Sequence, residues 1–143
     1  MLKKALIILL AGTSLSILNL QIALAEQARP FLRSKTFYPD VCSIALEGKV
    51  YYCNYLVMGF LSNGNGNIQL CDNRSNCFIL IMGLNASDKI LNDQPFSITD
   101  LAWKRNNEIV NRFEGYLDCA VSTEGIGCIG TLNDGKSIAI YTK

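Results

Sequence analysis

The 143-residue chain contains no histidine. That absence removes the side chain best suited to act as a general base near neutral pH, and with it a Ser-His nucleophilic pair and any mixed Cys/His zinc site. An excess of one charge is also missing, since thirteen Lys and Arg oppose twelve Asp and Glu. Two of the lysines, Lys3 and Lys4, belong to an N-terminal leader, so beyond residue 25 eleven basic residues face twelve acidic ones. The basic residues are scattered, and Lys104-Arg105 is only a dipeptide. Nothing here makes an electrostatic footprint for nucleic acid, so no nucleic-acid partner is expected. The chain also lacks a solenoid-length repeat and a long polar linker, which leaves a single domain as the simplest organisation.

Residues 1–25 read as a secretory signal. Lys3 and Lys4 form a basic head, Ala5 to Leu10 begin an apolar run, and Ala23-Leu24-Ala25 has the small-x-small pattern of a cleavage site. Gly12, Thr13, Ser14, Ser16, Asn19 and Gln21 interrupt the run and weaken it as a bilayer span. No cysteine lies nearby to carry a lipid. The expectation is bacterial export to the periplasm or the medium, with no stable membrane span after cleavage. Residues 26–39, punctuated by Pro30 and Pro39, read as a lead-in segment whose Phe31, Leu32, Phe37 and Tyr38 can dock on the domain. Residues 40–143 are then one disulfide-stabilised β domain.

All six cysteines follow the leader: Cys42, Cys53, Cys71, Cys77, Cys119 and Cys128. Exported thiols are expected to pair. Around a two-residue turn at Glu47-Gly48, Leu46 faces Lys49, and counting outward places Cys42 opposite Cys53. Around Thr123-Glu124 the same count places Cys119 opposite Cys128. The remaining pair, Cys71 and Cys77, closes the polar loop Asp72-Asn73-Arg74-Ser75-Asn76 between two apolar stretches. Three such clasps remove thiol chemistry, and the cysteine spacings repeat no zinc knuckle.

The candidate binding residues follow from this pattern. A clasped loop is prepared for recognition, so Asp72, Asn73, Arg74 and Asn76 are candidates on its tip. Tyr51, Tyr52 and Tyr55 are candidates as neighbouring aromatics, a composition that suits a carbohydrate as well as a protein. Asn63-Gly64-Asn65-Gly66-Asn67 reads as a surface turn. Asp72 and Asp134 lie in oxygen-rich loops but lack EF-hand spacing, so no metal or other cofactor is expected. Glu114 and Asp118 share a strand face, yet lie more than about 10 Å apart along it, wider than a retaining glycosidase pair. Asn73-Arg74-Ser75 and Asn85-Ala86-Ser87 match N-glycosylation acceptors that matter only in a eukaryotic secretory route.

Residues 98–110 admit two readings. Ser97 can cap a helix from Ile98, or Asn106-Asn107 can turn a hairpin, the preferred reading, with Trp103 as a sheet-packing residue. From Arg112 onward the spacing predicts strands at Phe113 to Val121, Gly127 to Leu132 and Lys136 to Tyr141. The fold class is therefore all-β: a small antiparallel sandwich or barrel, with about three disulfides and room for one short helix. The function favoured is a secreted or periplasmic noncatalytic binding or interaction domain, one concrete form being an inhibitor of a secreted hydrolase. The alternatives are a structural cell-envelope component and a carboxylate-dependent enzyme. The expected partner is an extracellular or envelope protein, or a small carbohydrate.

Overall fold

The computed structural model describes residues 33–61 and 65–143, and among these it has ten strands and one helix; residues 1–25, read above as a leader, lie outside the described residues. The strands are β1 (Arg33–Phe37), β2 (Cys42–Leu46), β3 (Lys49–Tyr52), β4 (Tyr55–Phe60), β5 (Gly66–Cys71), β6 (Cys77–Met82), β7 (Phe96–Arg105), β8 (Glu108–Ser122), β9 (Gly125–Leu132) and β10 (Ser137–Thr142). The helix α1 spans Leu84–Leu91 between β6 and β7. All the strands join one antiparallel sheet, in the order β1-β4-β5-β6-β7-β8-β9-β10-β2-β3, curled into a half-barrel.

Turn chemistry sets the registers. Glu47 and Gly48 both adopt positive φ (50° and 78°), the handedness that a two-residue hairpin needs, and Leu46 pairs with Lys49 as the turn count predicts. Asn106 and Asn107 do the same (51° and 66°), so the region 98–110 is a hairpin. Asparagine tolerates this left-handed region better than most residues. Ser122 pairs with Gly125 across the turn at Thr123-Glu124, which brings Cys119 opposite Cys128. The three disulfides are Cys42–Cys53, Cys71–Cys77 and Cys119–Cys128.

From β4 to β10 the chain is a meander, and β2 then pairs with β10. The first four strands act as one long bent hairpin: β1 pairs with β4, β2 with β3, and only Cys53 and Asn54 separate β3 from β4. Its β4 half joins β5 while its β2 half joins β10, so this corner ties the two ends of the curl together. The lead-in segment thus contributes a strand of its own, Arg33–Phe37, at a sheet edge. Gly66 and Asn67 belong to β5 rather than to a turn, whereas Asn63 and Gly64 lie outside the described residues. A Cβ at Gly66 would run into the Gly59 carbonyl of β4, so this close strand approach requires glycine.

Alternation decides what is buried. Leu56, Ile68, Leu70, Phe78, Leu80, Ile98, Leu101, Leu117, Leu132, Ile138 and Ile140 turn inward and form one core. Ile68, Leu80, Ile98 and Leu117 are completely shielded from water. Burial of a side chain of this size contributes about 1.5–3 kcal/mol, so the concave face dominates stability. A smaller cluster of Cys71, Cys77, Ile79 and Ala102, flanked by Tyr55 and Ile81, occupies the opposite face. Helix α1 docks through Ala86 and Ile90, four residues apart on one face, and ends where Asn92 Nδ2 donates to the Asp88 carbonyl (2.8 Å).

Candidate functional site

The bend between β3 and β4 places the clasped loop beside two of the three candidate tyrosines. Tyr51, Tyr52, Asp72 and Asn76 line one cleft of about 290 Å³, together with Val50, Cys53 and Trp103. Tyr51 meets Trp103 edge-on, with ring centroids 5.6 Å apart, and Trp103 in turn lies 5.8 Å from Phe78. Trp103 is half-buried: one side packs on the core and it also lines the cleft. Tyr52 is 77% exposed, which leaves nearly the whole ring available to a partner.

Tyr55 stands apart from this group. It begins β4, pairs with Cys71 across the strands, packs with the cluster on the opposite face and approaches Tyr38 at 6.3 Å. Two residues of bend separate it from Tyr52, so the parity that would align consecutive odd residues on one straight strand is broken at Cys53-Asn54.

Inside the loop, Asp72 is the organiser. Its Oδ1 accepts the backbone N–H of Arg74 (2.8 Å) and of Asn76 (2.9 Å), and its Oδ2 accepts from Asn76 Nδ2 (2.9 Å). Burial pushes its pKa up, but the Asn76 side-chain bond, the two backbone bonds and the Arg74 charge outweigh that and hold the carboxyl below its ordinary value. Asn54 Oδ1 accepts the Asn73 N–H (3.1 Å), and the Asn54 N–H donates to the Cys71 carbonyl (2.7 Å), so the bend and the loop brace each other. Asp72 is therefore occupied in shaping the loop. Asn73 and Arg74 occupy its exposed tip. Asn76 Oδ1 is buried with no hydrogen-bond partner.

The carboxylates of the catalytic alternative are engaged or spread out. Glu114 Oε2 accepts from Asn133 Nδ2 (3.1 Å), and Asp134 pairs with Lys136 (2.8 Å). Glu114 and Asp134 line a second cleft with Asp100 and Arg112, whereas Asp118 lies further along β8, opposite Ser97. Among the described residues no group of three His, Cys, Asp or Glu side chains is arranged to hold a metal ion. No described helix is long and apolar enough to cross a membrane.

No protein-family model, curated protein or solved structure matches this chain. The site is therefore argued from its own geometry. Sequence reasoning preferred a packing role for Trp103 to that of a ligand platform; the structure packs it on the core and also sets it beside Tyr51, a contact between β3 and β7 that no local pattern announces.

Proposed function

We propose that the chain is a noncatalytic binding domain of an oxidising compartment, the periplasm or the cell exterior, that engages an envelope or secreted protein. One observation carries this reading: the Cys71–Cys77 loop is clasped, braced by Asn54 and set at the rim of a cleft walled by Tyr51, Tyr52 and Trp103. A rigid loop tip loses little freedom on binding, and exposed aromatics with an arginine are the residue types that anchor interfaces. Obstruction of a secreted hydrolase is the concrete form such a loop suits. Three disulfides are compatible with that compartment.

The test is affinity capture from envelope and secreted extracts with the oxidised protein, beside a Tyr52→Ala/Arg74→Ala variant. Both side chains are solvent-facing, so the variant keeps the fold. A single stoichiometric partner is expected with the parent protein and not with the variant; capture that is indifferent to both substitutions would refute the assignment.

One observation supports envelope assembly as a second reading. Strand β3 is a sheet edge, and the Cys53 N–H donates to the Cys42 carbonyl (3.0 Å), so in alternating phase Val50 and Tyr52 turn their backbone groups away from β2. Self-association in sedimentation that disappears with Val50→Pro would favour this reading.

A further inference from the structure

A second groove runs along the concave face of β4, and its two cavities share no lining residue with the tyrosine cleft. Leu56, Met58 and Phe60 share one parity and make its floor, roughly 13 Å long at about 3.3 Å per residue. Two cavities adjoin along it and share Met58. One, of about 730 Å³, opens between β1 and α1, and the other, of about 300 Å³, reaches Phe37, Val121 and Ile126 at the far end. Both volumes approach or fall within the range of small-molecule sites. At the rim, Leu91 is 68% exposed although it is a large apolar side chain.

The end beside α1 differs chemically from the rest. Arg33 and Lys35 line it from β1, and among the described residues neither is in salt-bridge range of a carboxylate. Arg33 lies opposite Phe60 at this end, whereas Lys35 lies opposite Met58 in mid-floor with its Nζ 4.8 Å from the Phe37 ring centroid, a reach that its flexible side chain can redirect to either cavity. Asp88 is the one acidic group among the lining residues, which leaves a net positive charge. Ser87 lines the same end, is only 4% exposed, and its Oγ has no hydrogen-bond partner. A buried hydroxyl without a partner is costly, and an anionic oxygen reaching it would accept a hydrogen bond from it.

We propose that this groove binds a long-chain fatty acid. The carboxylate lies between Ser87 Oγ and the Arg33 and Lys35 side chains, and the acyl chain runs over Met58 and Leu56 toward Val121. Apolar floor, cationic end and unpaired buried hydroxyl each fit one part of that ligand, whereas a neutral sugar would leave the floor uncovered by polar partners and the charges unused.

The experiment uses the oxidised protein with β1 intact and 11-(dansylamino)undecanoic acid as fluorescent probe, with palmitate, decanoate and hexadecyltrimethylammonium as competitors below their micelle concentrations. Saturable one-to-one binding is expected, with displacement by palmitate, weaker displacement by decanoate because less apolar chain is covered, and little by the cation. Arg33→Ala/Lys35→Ala should weaken the probe at least tenfold. Ser87→Ala should weaken it several-fold with the thermal midpoint retained. Leu91→Asp, an exposed position at the carboxylate end, places a like charge there and should also weaken binding. Absence of saturable binding, equal displacement by the cationic amphiphile, or indifference to the Arg33 and Lys35 substitutions would overturn the proposal. None of these outcomes depends on the loop at Asp72–Asn76.

Discussion

Asp72 shows how one carboxylate converts five loop residues into a fixed surface. Its pKa is lowered in the folded state, so its contribution to stability is fully present above the unfolded value near 3.8 and is lost as the pH falls through the folded value. The stability difference between the parent and Asp72→Asn should therefore stay level from neutral pH down to about pH 5 and shrink below about pH 4. Thermal unfolding followed at stepped pH measures it, and a difference independent of pH would show that the Asx-type bonds, not the charge, hold the loop. At this scale much of the site was legible. Tyr51, Tyr52, Asp72 and Asn76 do share a cleft, because disulfide spacing and hairpin counting locate both walls. Tyr55 was misplaced, because nothing in Cys53-Asn54 announces a bend that resets parity.

Among the elements, the β8–β9 hairpin is held by more than its clasp. A Cβ on Gly130 would overlap the Tyr116 carbonyl on the neighbouring strand, so Gly130→Ala must push β8 and β9 apart. The cost is expected at about 1–3 kcal/mol, the range for overpacked interiors, and denaturant unfolding should show a lower midpoint. Gly127→Ala is the control, since nothing lies within 4 Å of its Cβ position. Hairpins with a recognisable turn were readable because turn, cysteine parity and apolar alternation agree. Two elements gave no such agreement. Strand β1 is exposed at all five positions, so its sequence carries no burial alternation, and only pairing with β4 defines it. Helix α1 spans eight residues and has no side-chain cap at Gly83, too short for a 3.6-residue period to stand out.

For the molecule as a whole, curvature is what sequence patterns conceal. Alternation distinguishes inside from outside on every strand, but it does not say how far a sheet rolls. The groove over Met58 and the corner at Cys53-Asn54 both arise from that roll. The connectivity of the clasps, by contrast, was legible, two by counting out from turns and the third as the pair left over, and it has a bearing on biogenesis. Each disulfide joins a cysteine to the next one in the chain, across separations of 11, 6 and 9 residues. If the chain is exported as proposed, each thiol would meet its correct partner before any competing thiol had appeared. Reduced protein released residue by residue needs an oxidant but no isomerase. Peptide mapping of protein made in cells lacking disulfide-isomerase activity should recover all three native links at undiminished yield, whereas scrambled links there would mean that the sheet forms before its clasps close.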